Sequence, residues 1–215
     1  MSRNQALAAW LLVLGAATRP VTAGTITLQA TQSDAKPFVG AVVTLQGAAH
    51  PHVAPVNAIL DQINLAFAPD LIVIPVGSTV EFPNSDSVSH QIYSFSPTKR
   101  FQLPLYHGQP YPPVHFDQAG IVTLGCNIHD QMVGYVFVTD AAYFGRTDAA
   151  GAWTVTNLPL GSYHLSLWHP LMREATASLE RDVTVADDEP VTLKLQLAHP
   201  LRRPPLPATV RRDQY

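Results

Sequence analysis

The stretch Gly120-Ile121-Val122-Thr123-Leu124-Gly125-Cys126-Asn127-Ile128-His129-Asp130-Gln131-Met132-Val133-Gly134-Tyr135-Val136-Phe137-Val138 decides how this chain is read. Two runs rich in β-branched and aromatic residues, Ile121–Leu124 and Val133–Val138, have the length and composition of strands rather than helices. Between them a short loop carries a thiol, an imidazole and a thioether at Cys-x2-His-x2-Met spacing. A strand-to-strand loop of this length turns all three side chains toward one point.

The same strand signature spreads outward on both sides. Thr25-Ile26-Thr27-Leu28 alternates, and Val42-Val43-Thr44-Leu45 does so more loosely. Leu71 to Val76 is a continuous apolar run interrupted by Pro75, followed by Gly77-Ser78 and then Thr79-Val80-Glu81-Phe82. Asn57 to Asn64 reads equally well as a helical turn or a first strand. Beyond residue 140, Thr147-Asp148-Ala149-Ala150-Gly151 is a turn signal before Trp153-Thr154-Val155, and Asn157-Leu158-Pro159-Leu160-Gly161 is another before Tyr163, Leu165 and Leu167. Val191 to Leu197 alternates apolar and polar residues, the mark of a strand with one buried face. Nineteen prolines and twelve glycines suit short strands joined by turns. With 47% hydrophobic and 13% charged residues over 215 positions, the chain has enough apolar surface for one good core or two small ones, which excludes a largely disordered protein. The expected class is all-β, with two β-sandwich modules.

The first residues read as a secretory signal. Arg3 supplies the positive start, Ala6 to Ala17 an apolar run of twelve residues, and Val21-Thr22-Ala23 a small-residue cleavage site before Gly24. Such a run falls short of the roughly 20 residues that span a bilayer, and no cysteine follows it to accept a lipid. Residues 1–23 are therefore expected to be removed, leaving a periplasmic or secreted protein with no transmembrane segment. Residues 24–198 hold seven Lys or Arg against fifteen Asp or Glu, a net charge of −8, which argues against a nucleic-acid partner. Residues 199–215 gather Arg202, Arg203, Arg211 and Arg212 among prolines and read as a disordered tail. The lone Cys126 forms no internal disulfide, so in an oxidising compartment it is either buried and inert or used for chemistry.

Its neighbours favour chemistry. Blue-copper sites take two imidazoles and a thiolate with a weak axial thioether, and soft sulfur ligands select copper over hard cations. His90, at the end of a strand and turn formed by Phe82-Pro83-Asn84-Ser85-Asp86, is the best candidate for the second imidazole. Zinc gains little from a thioether. A cysteine nucleophile paired with His129 is conceivable, but neighbours three apart on a tight loop suit shared ligation better than in-line proton transfer. The remaining histidines carry less: His50 and His52 lie in a linker-like segment, His107 and His115 in a proline-rich stretch read as loop, and His164 and His169 have no soft partner nearby. Lys99 and Arg100 read as a solvated pair.

Phe67-Ala68-Pro69, Val73, Gly77, Val80, Phe82, Asn84, Asp86 and His90 resemble the front half of a plastocyanin-like cupredoxin, and Gly120 to Cys126 resembles its ligand-bearing strand with amicyanin-type Cys-to-Met spacing. The resemblance implies a Greek-key β-sandwich and a copper site with His90 and His129 as imidazole ligands, Cys126 as thiolate and Met132 as axial ligand. Gln91 stands where many cupredoxins have asparagine, and Ile128 where proline is common; both positions bear on the redox potential and on hydrogen bonds behind the ligands. Together with Tyr93-Ser94-Phe95-Ser96-Pro97 and the downstream turn module, the chain is similar to exported proteins commonly labelled methylamine utilisation proteins. Thr147-Asp148, Gly151 and Leu158-Pro159-x-Gly161-x-Tyr163 resemble a carboxypeptidase regulatory-like, or transthyretin-like, sandwich, a carbohydrate-binding-like fold whose opening strands match Gly24 to Leu28 and Ala41 to Leu45. The expected organisation is a cupredoxin, 57–140, inserted between 24–48 and 141–198 of that second sandwich, since insertion at an exposed turn is physically easy. The implied function is non-enzymatic electron transport with a redox partner protein; a copper oxidase or nitrite reductase needs further copper ligands, and no second His/Cys cluster is present. The alternatives are copper delivery, or a carbohydrate- or partner-binding surface module with a structural copper.

Overall fold

Short apolar runs punctuated by glycine, proline and aspartate leave the backbone little choice but extended segments and tight turns. In the computed structural model, which describes residues 23–47, 51–108, 110–173, 179–187 and 189–202, the described residues form seventeen β-strands. The all-β class expected from the sequence is the observed one. Residues 1–22 of the expected signal, His50, and residues 203–215 of the expected tail lie outside the described residues.

Strand β1 (Ala23–Thr31) alternates strictly, so Ile26, Leu28 and Ala30 all point to one face and are fully buried. It lies between β14 (Ala152–Pro159), antiparallel, and β17 (Val191–Gln196), parallel. A second sheet has the order β13 (Tyr143–Arg146), β2 (Val42–Gly47), β15 (Gly161–Trp168), β16 (Arg181–Val185). In it Val43 pairs with Leu167 and Leu45 with Leu165. These two sheets share one core that includes Ile26, Leu28, Val43, Leu45, Leu165 and Leu167. Burial of each such aliphatic side chain contributes about 1.5–3 kcal/mol. The turn before β14 is fixed by Asp148, whose Oδ1 accepts the N–H groups of Ala150 (2.9 Å) and Ala152 (2.8 Å). Gly151 adopts φ +75°, and a Cβ there would lie 2.3 Å from the Ala30 carbonyl oxygen, so only glycine fits.

The intervening chain builds a separate core. A three-stranded sheet has the order β10 (Val114–Phe116), β7 (Ser78–Glu81), β3 (Asn57–Ile59). A five-stranded sheet has the order β6 (Leu71–Pro75), β12 (Val133–Thr139), β11 (Gly120–Gly125), β8 (His90–Ser96), β9 (Lys99–Tyr106). Phe82, Phe116, Ile92, Val122, Leu124 and Val136 form the centre of their common core. The segment 57–64 is extended, not helical: β3 and β4 (Asp61–Ile63) take it up, β4 pairing with β5 (Ala66–Ala68). The proline-rich stretch read as loop contains β10 with exposed His115, and Pro104 lies within β9. Strand β9 ends the sheet order, and an edge strand tolerates the missing N–H of a proline.

Side chains link the two cores. Trp168 packs its ring against Phe137 (centroids 5.4 Å apart) and Tyr135 (6.0 Å) of β12. Arg146 donates from Nε to the Gly40 carbonyl (2.9 Å) and from Nη1 to that of Leu71 (3.2 Å).

Candidate metal centre

Strands β11 and β12 are antiparallel, with Gly125 opposite Val133, so residues 126–132 leave one strand and return to the next as a closed loop. The loop is tightened by the Met132 N–H, which donates to the His129 carbonyl at 2.8 Å. This folds Cys126 and His129 onto the end of the core where β8 begins with His90. Gly125 lets the loop start there, because a Cβ would lie 2.7 Å from the Tyr93 ring.

The segment leading into β8 is knitted by Asn84, which is 3% exposed. Its Nδ2 donates to the carbonyls of Val88 (3.0 Å) and Tyr106 (2.9 Å), and its Oδ1 accepts the Asp86 N–H (3.0 Å). Behind it a second polar cluster is buried. Tyr106 donates its hydroxyl to the Phe82 carbonyl, and Gln62 Nε2 donates to Tyr106 Oη (2.6 Å) and the Pro83 carbonyl (3.0 Å). Burial pushes the Tyr106 hydroxyl up to about 12, so it stays a donor.

Three of the four residues expected as ligands converge. His90 Nδ1 lies 3.1 Å from His129 Nδ1, and Cys126 Sγ lies 3.9 Å and 3.8 Å from those two nitrogens. All three are buried, and among the described residues they are the one group of His, Cys, Asp and Glu donors gathered closely enough to hold a metal. An ion bonded at roughly 2.0–2.1 Å to nitrogen and about 2.3 Å to sulfur requires donor separations of roughly 3–4 Å. The observed separations meet that requirement without rearrangement. Met132 is 1% exposed and packs in the same apolar cluster as Cys126.

The electrostatics favour a neutral ring at His129. Burial and the neighbouring His90 hold His129 below the ordinary histidine range, leaving a lone pair for a metal. His90 Nε2 meets Asp86 Oδ2 at 3.0 Å. Burial raises the Asp86 carboxyl, but hydrogen bonds from Leu65 N–H, His90 and Ser87 N–H outweigh it and keep Asp86 below the usual carboxylate range. Two imidazoles, one thiolate-capable sulfur and a buried thioether nearby form a donor set that suits copper. The sequence reading did not assign a role to Asp86, Asn84, Gln62 or Tyr106. Only the motif Asn84-x-Asp86 before His90 gave a signal.

No protein-family model matches the chain, and no curated protein matches it. Solved structures do resemble parts of it. A purple cupredoxin from Nitrosopumilus maritimus is 29% identical, with 38% of this chain and 99% of that chain covered, at a TM-score of 0.35. A copper-containing nitrite reductase from Thermus scotoductus SA-01 is 25% identical over 51% of this chain, which spans only 28% of that enzyme, at a TM-score of 0.36. A reduced amicyanin variant is 18% identical, with 45% of this chain and 99% of that chain covered, at a TM-score of 0.35.

Proposed function

We propose that this chain is an exported type 1 copper-binding protein that carries electrons to or from a redox partner protein. The observation that carries the reading is the buried convergence of His90 Nδ1, Cys126 Sγ and His129 Nδ1 at 3.1–3.9 Å. His90, Cys126 and His129 would hold the metal, with the Met132 thioether as a weaker fourth donor. Bound there, copper supplies a one-electron couple at accessible potential. The protein's own part is to hold the donors in place and exclude water. His90 is fully buried, Cys126 and Met132 nearly so, and His129 is the most exposed of the four at 8%. Ile128, beside it, is 53% exposed, which makes the His129 side of the loop the natural approach for a partner. The centre is read as part of a cupredoxin, 57–140, set into a transthyretin-like sandwich of 24–48 and 141–198. The pairing of β2 with β15 and the separate cores support that organisation. Export is supported by the charged, apolar and small-residue segments of 1–23.

Copper(II) added to the full chain with its thiol reduced should give one equivalent bound and intense visible absorption from thiolate-to-copper charge transfer. Cys126→Ser should abolish the colour. A colourless wild-type protein, or one that takes zinc in preference and no copper, overturns the reading. Exported protein should begin at Gly24, and retention of residues 1–23 would sink the export part.

A further inference from the structure

We propose that Asp86 is a positioning residue of the metal centre: its carboxylate fixes His90 with Nδ1 toward the metal and, as an anion behind the ring, favours the more highly charged metal state. The proposal rests on the copper reading above and concerns what lies behind the donor atoms.

An ionised carboxylate only accepts hydrogen bonds. Asp86 Oδ2, at 3.0 Å from His90 Nε2, therefore requires the proton on Nε2, which leaves the lone pair on Nδ1. It is Nδ1 that faces His129 Nδ1 and Cys126 Sγ. A buried imidazole otherwise has two tautomers, and only this one can bind a metal through Nδ1. The carboxylate is itself held by two further backbone donors, and the Asp86 backbone is anchored as well. Oδ2 also accepts the Leu65 N–H at 2.7 Å, Oδ1 accepts the Ser87 N–H at 2.9 Å, and the Asp86 N–H donates to buried Asn84 at 3.0 Å. Leu65 belongs to the turn between β4 and β5, where Asn64 and Leu65 have φ of 55° and 58°. A remote hairpin thus helps to aim the carboxylate. Among the described residues no carboxylate hydrogen-bonds His129, so the two imidazoles are supported unequally.

Carboxylate–histidine–metal arrangements set ring orientation and ligand basicity, and losing the outer partner typically costs about 10–100-fold in metal affinity. A negative charge one ring away stabilises copper(II) more than copper(I). Asp86→Asn keeps the size and an acceptor oxygen but removes the charge. Copper(II) affinity should fall by about tenfold or more while copper(I) affinity changes less. The reduction potential should then rise by about 59 mV for each tenfold change in the ratio of the two affinities. In the metal-free wild-type protein, 15N chemical shifts should show His90 protonated at Nε2. An Asn variant with an unchanged potential and copper(II) affinity, or a metal-free His90 protonated at Nδ1, overturns the proposal. If the Asn variant does not fold, the wild-type tautomer decides alone. A wild-type protein that takes no copper overturns the copper reading instead, and the tautomer still tests Asp86.

Discussion

Replacing Asn84 by alanine tests whether the segment ahead of His90 is held by one buried side chain. Asn84 closes three hydrogen bonds at 2.9–3.0 Å, to the Tyr106 and Val88 carbonyls and from the Asp86 N–H. The bond to Tyr106 is buried, so its carbonyl would lose a donor that water does not replace, at about 1–3 kcal/mol. The other two are partly buried, and water recovers part of each, for roughly 0.5–1 kcal/mol apiece. The sum is a loss of about 2–5 kcal/mol, or a fall in Tm of roughly 4–20 °C for a chain of this length. Urea unfolding of the metal-free protein, followed by tryptophan fluorescence and by far-ultraviolet circular dichroism, measures it. Asn84→Asp should cost at least as much near neutral pH, because a carboxylate facing two carbonyl oxygens cannot donate to either. A loss below about 0.5 kcal/mol in the alanine variant would refute the reasoning, since no buried acceptor would then depend on Asn84.

Two further outcomes follow from residues near the site and at the junction of the cores. Burial, with a smaller effect from Arg146, pushes His169 down to about 4, and its Nδ1 accepts the Leu171 N–H at 3.2 Å, which needs the neutral ring. Its folded value thus lies below the ordinary one of about 6.5, so stability is complete above that pH and is lost as the pH falls toward 4. With a discount for solvent screening of this partly exposed ring, the loss is about 1–2 kcal/mol. His169→Gln should flatten that limb, and identical slopes for the two proteins between pH 7 and 4.5 would exclude His169 as its source. Gly125→Ala would drive a Cβ to 2.7 Å from Tyr93 Cζ, costing about 1–3 kcal/mol and displacing the start of the ligand loop. Gly125→Ala combined with Tyr93→Leu should recover part of that loss, and strict additivity in the double-mutant cycle would show that the two do not meet.

What the sequence revealed depended on how locally each feature is encoded. The approach of His129 to Cys126 was foreseeable because a loop between paired strands must return to its origin, as Gly125 opposite Val133 shows. His90 was singled out only through its place after the strand end and turn of Phe82 to Asp86. Asp86 was marked only by the motif Asn84-x-Asp86, with no role readable from it: four residues before His90 has a fixed geometry on a helix, but here the intervening chain is a loop. What aims it is Leu65, 21 positions away. Strand β9 was hidden by Pro104, which reads as a breaker until β9 is known to be an edge. The segment 57–64 was ambiguous because so short a stretch has no decisive period. Its pairing with residues 79–81 and 66–68 settles it.

The least alternating strands turn out to be informative for the same physical reason. Val133–Val138 and Leu71–Ile74 are apolar at both parities, a pattern that fits strands covered on both faces. In β12, Val136 and Val138 enter the core shared with Cys126, while Tyr135 and Phe137 meet Trp168 on the other side. Its parallel neighbour β6 pairs Ile72 with Val136, and the Leu71 carbonyl accepts a hydrogen bond from Arg146. The strand that closes the ligand loop is therefore gripped from both faces, by its own core and by Trp168. A loop whose returning strand cannot slide keeps His129 and Met132 at fixed positions relative to Cys126. For the electron-carrying centre proposed above, which would change charge without changing shape, that is the mechanical requirement. It connects a continuous apolar run in the sequence to the constancy of the donor set.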